Sequence, residues 1–68
     1  MIEVDARGLS CPEPVILTMN AMKKGDSEPI KVTVSNTVAR DSICSLAKKR
    51  KRTATPQRVG DDFVIEIA

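Results

Sequence analysis

The residue best suited to chemistry is Cys11, which begins the run Cys11-Pro12-Glu13-Pro14. A cysteine reacts as its thiolate, and a helix N-terminus can lower a thiol pKa from about 8.5 into the range of about 3.5–7.5. Because proline is tolerated in the first turn of a helix, the run predicts a helix that opens with Cys11 at its start. Glu13 opposes the thiolate and Arg7 offsets that charge, so we expect a moderately activated thiol.

The composition around Cys11 excludes several other kinds of cysteine chemistry. The chain has no histidine and two cysteines, Cys11 and Cys44. This excludes a Cys–His catalytic pair and a zinc site built from ordinary ligands, and without a C-x-x-C pair a thioredoxin-like dithiol is not expected. A nucleophile without a general base suits sulfur or thiol exchange, because the thiolate attacks directly. We expect no metal and no cofactor.

Both cysteines also have a structural interpretation, since free cysteine is often a small buried hydrophobe. For Cys11, the flanking prolines and the position between a strand and a helix favour a functional role. Cys44 lies within a helical pattern and has no local activating feature, so we interpret it as a packing residue. A thiol sensor that joins Cys11 to Cys44 stays open, and it requires their Cα atoms to lie within about 7 Å.

The spacing of apolar residues predicts the elements that position Cys11. Alternation of apolar and polar residues indicates half-buried strands, and apolar residues on one face indicate helices packed on a sheet. The predicted strands cover residues 2–6, 30–34, 53–59 and 63–68. The predicted helices cover residues 15–24, with a first turn in the run from Cys11, and residues 38–51. Pro56 places the third strand at an edge of the sheet.

The order βαβαββ predicts an α/β (α+β) fold, a two-layer sandwich with both helices on one face of a mixed four-stranded sheet. The first two strands should be parallel. The expected apolar faces are Val15, Ile16, Met19 and Met22 in the first helix and Ala39, Ile43, Leu46 and Ala47 in the second. Residues 35–37 offer three candidate caps for the second helix. We interpret residues 1–68 as a single domain, since 68 residues leave no room for a second core.

Five consecutive basic residues end the second helix: Lys48, Lys49, Arg50, Lys51 and Arg52. Their simplest interpretation is a solvated helix end whose cations complement the helix dipole. The alternative is partner docking, either to an acidic protein or to an RNA phosphate backbone. Because Phe63 is the single aromatic residue, a surface that stacks on bases is not expected.

The compartment is predicted from the N-terminus and from cysteine usage. Residues 1–7 alternate and carry two acids, unlike a signal peptide, and no apolar run reaches the length of a membrane span. Two cysteines outside any paired framework suit a reducing environment. We therefore expect a cytoplasmic protein without a membrane partner.

Two segments of the chain, one around Cys11 and one at the start of the second predicted helix, resemble a known family. Asp5-Ala6-Arg7-Gly8-Leu9-Ser10-Cys11-Pro12-Glu13-Pro14-Val15 resembles the signature of the TusA/SirA/YedF family of small sulfur-carrier proteins. Asn36-Thr37-Val38-Ala39-Arg40-Asp41 resembles the start of that family's second helix, in a form that leans toward the YedF-like branch. The resemblance covers essentially the whole chain, and its specificity lies in the Gly-Leu-x-Cys-Pro-x-Pro run.

The resemblance implies a specific role. Family members have the βαβαββ sandwich, and their motif cysteine accepts sulfane sulfur as a persulfide from a cysteine desulfurase or a rhodanese-like donor. They relay it toward tRNA thiolation, molybdenum-cofactor maturation or other sulfur metabolism. By this resemblance Cys11 is the carrier, Gly8, Pro12 and Pro14 shape its turn, and Glu13 is the variable motif position. Such a protein is a sulfurtransferase-like carrier rather than a stand-alone turnover enzyme.

Two positions depart from the family pattern and keep other functions open. Ser35 stands where family members commonly have an acid, and the run from Lys48 to Arg52 is more basic than expected there. The competing hypotheses are a non-catalytic module that binds protein or RNA through the basic run and a regulatory or redox thiol protein.

Overall fold

The computed structural model describes residues 2–9, 13–24 and 28–68. Its elements follow one another as β1 (Ile2–Asp5), α1 (Glu13–Lys24), β2 (Ile30–Val34), α2 (Thr37–Lys49), β3 (Ala54–Val59) and β4 (Asp62–Ile67). The predicted order βαβαββ is confirmed. The predicted boundaries agree with the observed ones to within two residues, and those of β2 are identical.

The four strands form one mixed sheet in the order β1-β2-β4-β3. β1 and β2 are parallel, whereas β4 is antiparallel to both β2 and β3. The third strand therefore lies at an edge, as Pro56 predicted. Thr53 and Ala68 form a hydrogen-bonded pair, in which the N–H of each donates to the carbonyl of the other. Backbone groups alternate in direction along a strand, so those of Pro56, three residues later, point away from β4. Pro56 has no N–H to donate, and the outer side of an edge strand is where this is tolerated.

Both helices pack on one face of the sheet and bury its inward side chains. The fully buried strand residues are Ile30, Val32, Val34, Ile65 and Ile67. Small helical residues meet them: Ala21, Ala39 and Ala47 are all buried. The opposite face of the sheet carries residues such as Glu3, Lys31 and Glu66, which stand side by side in register. The structure confirms the two-layer sandwich.

The apolar face predicted for α1 was partly wrong. The buried residues of α1 are Pro14, Thr18, Ala21 and Met22, whereas Ile16 is 48% exposed. Thr18 is tolerated in the core because its hydroxyl donates to the carbonyl oxygen of Pro14 at 2.8 Å. That local bond satisfies the polar group and allows the helix to turn Ile16 outward.

The start of α2 is capped as the sequence predicted. Asn36 has extended backbone angles, and its side-chain oxygen accepts the Ala39 N–H at 2.7 Å. Of the three candidate caps, Asn36 is therefore the one that caps the helix.

The end of α2 comes at Lys49, two residues earlier than predicted. The Lys51 N–H donates to the Lys48 carbonyl at 3.0 Å, and the Arg52 N–H donates to the Ala47 carbonyl at 2.9 Å. This is the Schellman pattern, which requires a left-handed residue just beyond the cap. Lys51 fills that position with φ 58°, where glycine is the usual residue.

Neither α1 nor α2 is long and apolar enough to span a membrane, judged over the described residues.

Candidate functional site

The candidate site lies at the end of the sheet where both helices begin, here called the motif end. β1 and β2 are parallel, and a helix follows each of them. α1 and α2 therefore start from the same end of the sheet. In open α/β sheets the carboxyl ends of the strands are the usual place for chemistry. Ser10, Cys11 and Pro12 lie outside the described residues, and Leu9 and Glu13 are their nearest described neighbours.

The loop that leads into the motif is held by a local ion pair. The Arg7 guanidinium donates to both carboxylate oxygens of Asp5, at 2.9 Å each, and the Arg7 backbone N–H donates to the same group at 3.2 Å. These bonds lower the pKa of Asp5 to about 2 and raise the pKa of Arg7. A second arm of Arg7 lies 3.8 Å from Asp62 at the start of β4. The carboxylates of Asp5 and Asp62 thus balance the positive charge of Arg7. This is the charge that was expected to offset Glu13.

Gly8 connects this loop to the end of β2. Its backbone N–H donates to the Ser35 hydroxyl at 3.0 Å, although the two residues are 27 positions apart. Its φ is +74°, in the left-handed region that glycine adopts without steric penalty. Ser35 is therefore a loop anchor rather than a helix cap. Gly8 was predicted from the motif, but the contact of Ser35 with it was not, because no local pattern reports a contact over this separation.

Leu9 and Pro14 tie the two sides of the motif to the core. The Leu9 N–H donates to the Ala6 carbonyl at 3.4 Å, and its side chain packs against the buried cluster. Pro14 lies in the first turn of α1, where the sequence predicted it, and is fully buried. Glu13 is exposed beside it. The described flanks of the motif are thus anchored, and Glu13 places an acid in the first turn of α1.

The first turns of α2 add a second charged cluster to the motif end. Arg40 donates to the Asp41 carboxylate at 3.0 Å, and its guanidinium carbon lies 5.0 Å from the centre of the Phe63 ring. This is a cation–π contact between α2 and β4. Arg40 and Asp41 belong to the stretch that resembled the family's second helix, and Phe63 explains what Arg40 does there.

Cys44 behaves as the sequence analysis expected of a packing residue. It is a free, half-buried cysteine in the middle of α2 and packs against the core cluster. Burial raises the pKa of its thiol, the Asp41 carboxylate raises it further, and Arg40 lowers it in part. A thiol with a raised pKa is a poor nucleophile at neutral pH. The Cα separation that the sensor hypothesis needs involves Cys11 and lies outside the described residues.

The basic run lies at the other end of the helices, here called the basic end. α2 has 13 residues, which at 1.5 Å per residue separates its two ends by about 20 Å. Lys48, Lys49, Arg50 and Lys51 are exposed. The last turn of α1 adds Lys23 and Lys24 at the same end. The structure therefore does not bring the predicted docking residues together with the motif end.

Arg52 differs from the other members of the run because its side chain turns inward. One guanidinium nitrogen donates to the Glu28 carbonyl at 2.6 Å, and Nε donates to the Ala68 carbonyl at 3.4 Å. Another, Nη1, is buried without a hydrogen-bond partner among the described residues. Arg52 thus joins the end of α2 to the residues before β2 and after β4. Docking by the run from Lys48 to Arg52 stays a prediction, and the exposed side chains available for it are those of Lys48, Lys49, Arg50 and Lys51.

A groove of about 520 Å³ separates the outer faces of the two helices. Its apolar lining is formed by Val15, Met19 and Leu46, and Asp41 and Lys49 also line it.

Among the described residues no cluster of three or more potential metal ligands occurs.

Comparison with known proteins identifies the class to which this fold and motif belong. The family model for the sulfurtransferase TusA matches residues 2–68. The crystal structure of the SirA-like protein from Desulfitobacterium hafniense superposes with a TM-score of 0.91 at 24% identity, covering 98% of this chain and 95% of that chain. At that identity the likeness shows the fold alone. No curated protein matches the chain significantly.

Since the family match spans nearly the whole chain, the protein belongs to the TusA sulfurtransferase family. Members of this family are sulfur carriers that relay sulfur between partner proteins. The recognition made from the motif around Cys11 is confirmed at the level of the family, and the lean toward the YedF-like branch stays a prediction.

Proposed function

We propose that this protein carries sulfane sulfur as a persulfide on Cys11 and relays it from a donor protein to an acceptor. The observation that carries the proposal is the family match over residues 2–68, with Cys11 in the Gly8-Leu9-Ser10-Cys11-Pro12-Glu13-Pro14 motif. Gly8, Pro12, Glu13 and Pro14 shape or flank the turn. The donor is a cysteine desulfurase or a rhodanese-like protein, and residues 1–68 act as one domain in the reducing cytoplasm.

The proposed transfer needs no base and no external oxidant. The Cys11 thiolate attacks the outer sulfur of a donor persulfide, R–S–SH. A new S–S bond forms to Cys11, the donor S–S bond breaks, and the donor leaves as R–S⁻. The proton stays on the transferred sulfur. An acceptor thiolate then repeats the attack on the outer sulfur of Cys11–S–SH and regenerates the Cys11 thiolate.

The properties of Cys44 support Cys11 as the carrier. Cys44 is half-buried within α2, and burial together with Asp41 raises its thiol pKa. Because nucleophilic attack on a persulfide requires the thiolate, the raised pKa makes Cys44 a poor nucleophile at neutral pH. Cys44→Ser therefore provides a matched control for Cys11→Ser, since each variant removes one sulfur atom from the chain.

Intact mass spectrometry tests the proposal. The reduced protein is incubated with a cysteine desulfurase and cysteine, and its mass is compared with that of the two variants. We expect an adduct of one sulfur that a reductant removes, that is lost in Cys11→Ser and that is kept in Cys44→Ser. Full sulfur loading in Cys11→Ser would sink the proposal.

The fate of the sulfur is a second, separable measurement. Loaded protein is mixed with candidate acceptor proteins of tRNA thiolation or molybdenum-cofactor maturation, and loss of the adduct is followed with time. Transfer to one acceptor with return of the reduced mass identifies the pathway. Loading without transfer to any acceptor would contradict the relay while leaving the carrier step intact.

A further inference from the structure

The two edges of the sheet are protected to different degrees. At the β3 edge, Pro56 removes the backbone donor that would point outward. At the β1 edge there is no proline: the strand reads Ile2-Glu3-Val4-Asp5, and no described strand lies beyond it. The short length and the two acids of β1 limit pairing with unsuitable chains, but without a proline its outward backbone groups stay available to a partner strand.

The backbone of β1 offers a complete set of pairing groups at this edge. The Ile2 N–H donates to the carbonyl of Pro29, just before β2, and the Ala6 N–H donates to the carbonyl of Thr33, within β2. Backbone groups alternate in direction along a strand, so those of Glu3 and Asp5 point away from β2. They present two N–H and two C=O groups, which is enough for a short parallel or antiparallel partner strand.

The charges on the open face of the sheet indicate which partner would fit. Glu3, Lys31 and Glu66 stand side by side on β1, β2 and β4 and alternate in sign across the sheet. A further strand beside β1 continues this alternation if it places a cation opposite Glu3, since opposite charges on neighbouring strands attract. Asp5 adds a second acid on the same face, although its carboxylate is shared with Arg7.

The helix side of the edge requires apolar residues instead. A groove of about 340 Å³ runs between β1 and α1. Its apolar lining is Ile2, Val4, Leu17 and Ala21, and the polar residues Glu3, Asp5, Asn20 and Lys24 complete it. Leu17 is 37% exposed although it faces this apolar wall. Side chains of an added strand alternate between the two faces of the sheet, so the residues between its cations would enter the groove.

A second copy of the chain does not fit this edge. If two β1 strands paired, Glu3 and Asp5 of one copy would face the same acids of the other, and like charges on facing strands are destabilising. Pairing of β1 with another copy's β3 would meet the position of Pro56, which has no outward donor.

We propose that the free edge of β1 docks an extended segment of a partner protein in which Lys or Arg alternates with apolar residues. The segment adds a fifth strand to the sheet, with its cations beside Glu3 and Asp5 and its apolar side chains in the groove against Leu17. The site does not involve Cys11, so it is independent of the proposed sulfur chemistry.

The test uses two synthetic peptides, each blocked at both ends, with lysine or glutamate alternating with valine over seven residues. Each is titrated into isotope-labelled protein and followed by backbone NMR and amide exchange. We expect shifts at Ile2–Asp5 and at Leu17, slowed exchange of the Glu3 and Asp5 amides, and a preference of about tenfold for the lysine peptide.

Substitutions at Glu3 separate the backbone contribution from the charge. Glu3→Pro removes an outward N–H but no bond to β2, so it should abolish binding while the NMR spectrum outside β1 is kept. Glu3→Gln keeps the N–H and should weaken binding of the lysine peptide. Glu3→Lys should move the preference toward the glutamate peptide, so this variant decides the outcome even if Glu3→Pro disturbs the fold.

Several results would overturn the proposal. They are equal binding of the two peptides, shifts confined to the helices, and unchanged binding by Glu3→Pro. Shifts at β1 that grow with protein concentration in the absence of peptide would assign the edge to a second copy instead. Cys11→Ser should bind the lysine peptide like the unmodified chain, so failure here and failure of the sulfur-carrier proposal are distinguishable.

Discussion

The motif end and the basic end of the helices are built in different ways. At the motif end, the loop before Cys11 is held by polar contacts of exposed groups, Asp5 with Arg7 and Gly8 with Ser35. At the basic end, the half-buried side chain of Arg52 binds carbonyl groups from two other segments. The first end carries both acids and bases, whereas the last turns of the helices at the second end carry Lys23, Lys24, Lys48 and Lys49.

This difference suggests how stability and function are divided. Contacts between exposed groups contribute little free energy but fix the path of a loop. A half-buried guanidinium that joins three segments contributes to the stability of the whole fold. We therefore expect changes at the basic end to affect unfolding most strongly and changes at the motif end to affect sulfur loading.

The largest effect on stability is expected for Arg52→Ala. The substitution removes the charged donors to the carbonyls of Glu28 and Ala68, and should lower the free energy of unfolding by about 2 kcal/mol. Chemical denaturation measures this, with Arg50→Ala as the matched control because Arg50 is exposed at the same helix end. An equal loss in both variants would show that net charge, not the inward contacts of Arg52, is responsible.

A smaller loss of stability is expected for Gly8→Ala, together with a loss of function. Gly8 has φ +74° with open space around it, so the expected penalty is the backbone strain of about 1–2 kcal/mol. Gly60→Ala is the matched control, since Gly60 has φ +62° and equally open surroundings in the β3–β4 turn. Denaturation should show similar losses, and mass spectrometry should show slower sulfur loading in Gly8→Ala alone. Slowed loading in both would remove the specific role of Gly8.

A modest gain in stability is expected for Lys51→Gly. Lys51 closes α2 with φ 58°, and glycine relieves the strain of that conformation. The gain should be about 0.5–1 kcal/mol, because the added flexibility of the unfolded chain offsets part of it. Lys51→Ala serves as the control, since it removes the same charge and keeps the strain. If both variants gained equally, relief of charge repulsion rather than of strain would be the cause.

The smallest effect is expected from pH at the motif end. The pair with Arg7 lowers the pKa of Asp5 to about 2, whereas an unpaired aspartate titrates near about 3.9. The loop contact is therefore complete above about pH 4 and is lost as the pH falls through about 2. NMR titration of the Asp5 carboxyl checks this. Arg7→Gln should return the Asp5 pKa toward its ordinary value, and an unchanged pKa would exclude the pair as its cause.

Most of the fold was predictable because its elements depend on local patterns. Alternation marks β2 and β4, and Asn36 signals the start of α2. Pro56 correctly predicted that β3 lies at an edge of the sheet. The face of α1 was predicted less well, because Thr18 is polar by composition but its bond to Pro14 makes it a core residue. The end of α2 was also misplaced, since Lys51 occupies a position where sequence rules expect glycine.

The candidate site was predictable only where a single segment carries it. The motif around Cys11 can be recognised from its own residues and leads to the TusA family, which the family match confirms. The role of Ser35 as an anchor of the loop could not be predicted, because its contact with Gly8 joins residues 27 positions apart. Arg52 was grouped with its basic neighbours, because its type and position are the same as theirs and only its surroundings differ.

By itself, the sequence determined the order of strands and helices, the motif and the family, because each of these depends on residues that are close together in the chain. The tertiary structure decided which groups from distant segments meet: Gly8 with Ser35, and Arg52 with Glu28 and Ala68. It also decided that β1 lies at an edge of the sheet, since the order of the described strands, β1-β2-β4-β3, places it outermost. Sheet order and register arise from the packing of the whole chain, so contacts that depend on them cannot be inferred from local patterns.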